Sequence, residues 1–257
     1  MSQSAVLFRL LAPLVALAIG ATAEAGPEPV PNPDQPAQPA ATEPEPEHAS
    51  PFSASGSLAF NSRYLFQGID YSAGKPVLNP ELDAAAGPIA ARVWVNHDLD
   101  QNVANEFDLS VFHEWSLKKA SLATGYTYLK YPHREGWDPS QELYIEMSHE
   151  GVVSPSLSVH YDFDAGDGSY STLGFSRSVE RPFGTLSFGT NLFYQDHYYG
   201  LTGIPSNEWN VRLTKTVHKV SFTPSMSRFV TWTNGDFRDE NAVKSAWLFS
   251  LQVARDL

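Results

Sequence analysis

The chain has 257 residues, a net charge of −12 and no cysteine, and 42% of its residues are hydrophobic. That length admits one large all-β domain with extensions. The missing Cys excludes disulfides, thiol nucleophiles, Cys-ligated metals and a lipid anchor on a cysteine. After residue 50, 23 Asp and Glu stand against 16 Lys and Arg, a balance that argues against nucleic acid as a partner.

Residues 1–25 have the make-up of a cleaved secretory signal. Arg9 supplies a positive start, Leu10 to Gly20 form an apolar run too short to anchor in a bilayer, and Ala23-Glu24-Ala25 fits a small-x-small cleavage site. Residues 26–51 contain nine Pro, five acids and no Lys or Arg. Such a segment cannot bury enough apolar surface to offset its ordering entropy, so it is expected to be an extended, disordered linker. It serves either as a passive spacer or as a tail that binds a periplasmic partner.

From Phe52 the texture changes. Phe107, Leu109, Val111, His113 and Trp115 alternate with more polar neighbours, as do Leu157, Val159, Tyr161 and Phe163, and Trp247, Phe249, Leu251 and Val253. Successive side chains of a strand point to opposite faces, so each run has one apolar and one polar face. No 3.6-residue stripe competes. The runs predict about twelve strands, at 54–66, 77–86, 89–98, 105–115, 119–131, 140–150, 155–164, 169–179, 184–195, 207–217, 219–232 and 242–255. Their length suits tilted membrane strands.

The connections alternate between tight ones, such as Gly87-Pro88 and His218, and mostly longer ones, such as 67–76, 131–139, 196–206 and 233–241. Membrane barrels pair short periplasmic turns with longer outer loops, whereas a soluble Greek-key sandwich has no reason to keep this parity. The expectation is therefore an all-β, antiparallel transmembrane barrel over residues 52–257, in contact with outer-membrane lipid. Tyr64, Phe66, Tyr126, Tyr128, Tyr131, Tyr194, Trp232 and Trp247 are placed near strand ends or on outward faces, where rings suit the membrane boundary. Arg228 falls on the lipid face, and Pro224 before it suggests a bulge that would flip the later phase. Trp94, Phe112 and Leu248 fall inward, as in a partly filled barrel.

Ser62, Tyr64, Phe66, Gly68 and Ile69, followed by Lys75-Pro76, resemble the opening signature of the TorF-type porin family of bacterial outer-membrane proteins, with Gln67 where that pattern carries Arg. Glu106 to Leu109, Gly125 to Tyr128, Tyr131-Pro132 and Glu142 to Tyr144 are similar to its later strands. The resemblance covers roughly residues 53–180 and implies a location rather than a chemistry, since the family carries no agreed catalytic or binding residues. The chain end, through Trp247, Phe249, Leu251, Val253 and Leu257, is similar to the last strand of such barrels, with Leu257 in place of an aromatic and Arg255 breaking the alternation.

The predicted phase sends Glu81, Asp83, Glu106, Asp108, Glu114, Glu142, Glu146 and Asp162 into the lumen, against Arg63, Arg92 and Arg212. Charge rings inside a pore select ions of opposite sign, so a narrow channel passing small polar or cationic solutes is expected. A salt-bridged lumen without conductance fits the same residues, as does a scaffold barrel that works through its tail. No catalytic, cofactor or metal residue is assigned. The sequence lacks a G-x-S-x-G elbow and an H-E-x-x-H pair, which leaves His113, His149 and His160 as the strand histidines a lipid hydrolase would use. Asp164 and Asp167, in Asp-Ala-Gly-Asp-Gly, form either a plain turn or an outer-loop cation site.

Overall fold

In the computed structural model, which describes residues 52–238 and 244–257, the alternating runs become twelve strands. They are β1 (Phe52–Asn61), β2 (Val77–Ala86), β3 (Ile89–Asp98), β4 (Val103–Leu117), β5 (Ala120–Lys130) and β6 (Ser140–His149). The second half holds β7 (Ser154–Asp162), β8 (Gly168–Arg181), β9 (Gly184–Tyr198), β10 (Ser206–Val217), β11 (Val220–Thr231) and β12 (Ala246–Asp256). Each strand pairs antiparallel with the next, and β1 pairs with β12, so the sheet closes on itself and has no free edge. Closure leaves no strand edge unpaired, the condition for a sheet to stand in hydrocarbon. The expected signal segment and linker lie outside the described residues.

Tight turns occupy one end of the barrel. His218 and Lys219 both take positive φ, at 50° and 66°, the backbone of a two-residue turn whose twist matches its strands. Long loops occupy the other end, together with a short strand at Leu201–Gly203 and a single 3-10 turn at Gly235–Arg238. No helix among the described residues is long and apolar enough to cross a membrane.

The outer wall carries the apolar side chains. Ile145 and Leu251 keep 38% and 44% of their surface exposed although they sit mid-strand. In water such a belt would drive aggregation; in lipid it is the contact surface. Ile145→Arg is expected to cost about 2–4 kcal/mol of folding stability in vesicles, the penalty for a cation near the bilayer midplane. Urea unfolding in lipid checks it, and an unchanged midpoint would remove Ile145 from the belt.

Two sequence expectations change. The first strand ends at Asn61 rather than at residue 66, and the chain then turns inward as a hairpin, Leu65–Phe66 against Ile69–Asp70. Pro224 introduces no bulge: β11 keeps one register against β10 and one against β12 along its length, so the faces do not flip. Arg228 therefore stays on the outer wall near the long-loop end. Its guanidinium lies 5.3 Å from the Trp247 ring centre, a cation-π contact that suits the membrane boundary.

Candidate functional site

The inner wall is polar because every second residue of each strand points there. At the long-loop end an amide chain crosses four strands. Asn61 donates to Asn79 at 2.6 Å, Asn79 to Asn96 at 2.9 Å, and Asn96 to Asn105 at 2.6 Å. The two middle amides, Asn79 and Asn96, both donate and accept, so these buried side chains satisfy one another.

The hairpin of residues 62–76 folds into this end of the lumen. Gln67 and Gly68, with φ of 51° and 87°, form its tip in the left-handed backbone of a type I′ turn. Gln195 on β9 donates to the Gln67 side chain at 2.8 Å, and Ser206 on β10 donates to the Gln67 carbonyl at 2.8 Å. A Cβ at Gly68 would overlap the Ser206 hydroxyl, so this approach requires glycine. Phe66 meets Tyr170 of β8 edge-on at 5.1 Å, and Tyr64 lies 5.8 Å from Trp94 of β3. Tyr64, Phe66 and the buried Tyr131 thus line the interior, not the membrane boundary. The sequence placed Tyr64 and Phe66 near a strand end at the membrane boundary because the Tyr-Leu-Phe alternation continues the strand pattern past its end, and Tyr131 there because it closes the predicted strand 119–131.

Three cavities follow one another down the barrel. The outermost, about 380 Å³, lies among the loops and shares Tyr71, Arg134 and Trp137 with the next. That second chamber, about 250 Å³, is walled mainly by aromatic rings with Glu106 and Asp108. It shares Trp94, Asp108, Leu129 and Tyr170 with a vestibule of about 590 Å³ that extends toward the tight-turn end. Arg134 sits at the upper junction, its guanidinium 5.5 Å from the Tyr71 ring centre and 5.1 Å from that of Trp137. Burial, with the Glu106 carboxylate second, pushes the Tyr71 phenol up to about 12 and raises that of Tyr131, so both remain neutral.

The sequence-derived charges distribute as follows. Glu81, Arg92, Asp108, Glu114, Glu142 and Glu146 line the vestibule. Arg92 joins Asp83 at 2.7 Å and Glu81 at 3.5 Å, a cross-strand pairing set by the β2–β3 register. Glu106 is buried in the aromatic chamber. Arg63 belongs to the hairpin segment and pairs with Asp70 at 3.2 Å, beside a smaller interior cavity that Leu248 also lines. Asp162 has no exposed surface; its carboxylate accepts the Ser140 hydroxyl at 2.6 Å and the Asp164 N–H at 2.9 Å, holding the β7–β8 loop. Arg212 shares the inward register of Glu208 and Thr214, and its side chain is exposed.

Glu142 forms the most connected polar group of the vestibule. It accepts from the Tyr170 hydroxyl at 3.0 Å and the Tyr198 hydroxyl at 3.1 Å, and His160 Nδ1 lies 3.4 Å away. The His160 ring stacks between Tyr170, at 4.5 Å, and Tyr144, at 5.1 Å, with Nε2 at 3.6 Å from Glu146. Tyr144 itself lies across Gly125, where a side chain would overlap its ring. His113 packs on Trp115 at the outer wall, and His149 is exposed near the tight turns. Among the described residues, no serine hydroxyl hydrogen-bonds a histidine. Asp164 accepts from the Gln141 amide at 2.9 Å, and the Asp-Ala-Gly-Asp-Gly segment turns at Ala165-Gly166. Arg134, Trp137, Tyr170 and Tyr198 escaped the sequence reading; only their density of rings in predicted loops and strand ends hinted at an interior use.

A closed twelve-strand antiparallel barrel with an apolar outer belt and a polar, cavity-bearing interior defines the protein as a transmembrane β-barrel of the outer-membrane kind. Its fold is similar to that of the NanC porin, with a TM-score of 0.51 at 11% identity, covering 79% of this chain and all of that one. An outer-membrane channel from Pseudomonas putida F1 aligns with a TM-score of 0.49 at 10% identity, over 89% of this chain and all of that one. No protein-family profile and no curated protein sequence matches the chain.

Proposed function

We propose that this barrel is an outer-membrane channel for the passive passage of small polar solutes, with a preference for cations. The observation that carries this reading is the series of three cavities that share walls from the outer loops to the tight-turn end. The vestibule adds the sign. Glu81, Asp108, Glu114, Glu142 and Glu146 face it with Arg92 as the one guanidinium among its lining residues. In a confined, partly desolvated passage such an excess attracts counter-ions and repels anions. In this reading residues 1–25 direct export, and residues 26–51 form a Pro-rich tail on the periplasmic side.

The test is bilayer conductance of the refolded mature chain in a salt gradient. Discrete steps with a cation-selective reversal potential are expected. Glu81→Gln, Glu114→Gln and Glu146→Gln together should move the reversal potential toward zero, with Asp108, Glu106 and Glu142 retaining part of the selectivity. A folded barrel without conductance would sink the channel. The docked hairpin favours a second reading for that case, a non-conducting scaffold barrel that works through its tail.

A further inference from the structure

The aromatic chamber holds an imbalance that the channel reading does not use. Asp108 stands at the neck between chamber and vestibule and lines both. Its Oδ1 is buried and has no hydrogen-bond partner. Its electrostatic neighbours are two further acids, Glu106 and Glu142. Neither Asp108 nor Glu106 has an ion-pair partner within 4 Å among the described residues, and Arg134 is held at the other end of the chamber over two rings. Asp108 is half-buried as a residue, and a carboxylate with one oxygen covered and unpartnered beside other acids is costly, a cost that a proton or a bound cation relieves. Trp94 and Tyr170 border the same neck, Tyr170 with one face already covered by His160, and aromatic rings attract an ammonium that has shed part of its water. A hydrated metal ion would gain little from rings; an alkylated ammonium gains from rings and carboxylate together.

We infer that the neck of the lumen is a binding site for small organic cations carrying a primary or quaternary ammonium. The ammonium sits at Asp108 between Trp94 and Tyr170, and the rest of the molecule occupies the ring-walled chamber above. A cavity of about 250 Å³ matches a solute of a few carbon atoms. The inference rests on the reading of the lumen as a solute route, and it converts a general cation preference into selection for one chemical class.

The experiment is calorimetric titration of the detergent-solubilised mature barrel with choline, with dimethylbutanol as its uncharged carbon analogue and with glycine betaine as a zwitterion. Choline should bind, dimethylbutanol should not, and betaine should bind more weakly because the neck carries excess negative charge. Asp108→Asn should weaken choline binding by about tenfold or more. Trp94→Leu, a second variant in case the first misfolds, should also weaken it; heat-modifiable gel mobility confirms folding of both. Equal binding of dimethylbutanol, or betaine binding as tight as choline, overturns the assignment. A folded, conducting barrel that binds no choline overturns this inference and leaves the channel standing. Choline binding by a barrel that never conducts supports the site and removes the channel.

Discussion

Replacing residues 64–71 with a short Gly-Ser bridge is expected to raise single-channel conductance about threefold or more, since the passage is set by its narrowest section. The hairpin reaches across the upper lumen from β1 to β8, β9 and β10, so removing it merges spaces that are now separate. The barrel wall should survive the deletion, because residues 64–71 supply no ladder bonds to the twelve-strand sheet and Ser62, which bonds to β12, is kept. Gly68→Val is the milder form of the same experiment. It forces a side chain into the Ser206 hydroxyl and demands a positive φ from a β-branched residue. It should undock the tip and produce intermittent wide openings. Unchanged conductance in both variants would mean that current bypasses the hairpin.

Glu142→Ala is the second change with a large expected effect. Three neighbours direct polar hydrogens or a ring nitrogen at this carboxylate: Tyr170, Tyr198 and His160. Removing a buried acceptor leaves those groups unsatisfied, which costs about 2–4 kcal/mol. The loss should appear as a lower urea midpoint in vesicles. Glu142→Gln, which keeps one acceptor oxygen, should lose less. Because Tyr170 also carries Phe66 on its edge, the alanine variant should loosen the hairpin and increase current noise. A stability equal to that of the parent would show that water replaces the carboxylate at no cost.

Much of this architecture is legible in the residues because a membrane barrel imposes one rule throughout. Each strand must be apolar at alternate positions, and Phe107, Leu109 and Val111 on β4 or Trp247, Phe249 and Leu251 on β12 display that rule without interference. The same periodicity explains why Trp94, Phe112 and Leu248 could be sent inward despite their apolar character. The interior resisted reading for two reasons. Tyr64 and Phe66 obey the strand period while belonging to a hairpin, and only the Gln67-Gly68 pair, a short turn of left-handed backbone, betrays the reversal. The aromatic chamber, in turn, is assembled from residues distant in the chain. Trp94, Arg134, Tyr170 and Tyr198 come from β3, a loop, β8 and β9, and no local pattern links them. Asp162 shows a further limit. Its position on the polar face is readable, but its employment as a clamp on Ser140 depends on a neighbouring strand.

The seam between β1 and β12 also governs how the molecule comes into being. Ser57 and Gln252, hydrogen-bonded across it, are 195 positions apart, whereas the other barrel pairings join consecutive strands. Eleven hairpin contacts can form by local search, but the last requires the first and last strands of the sheet to meet. Until then two bare edges remain, each a template for a neighbouring chain. The closing step is therefore the one pairing without a local turn behind it, and a half-closed sheet is open to strand exchange between molecules. The seam is where a chaperone or an assembly machine would have most to contribute.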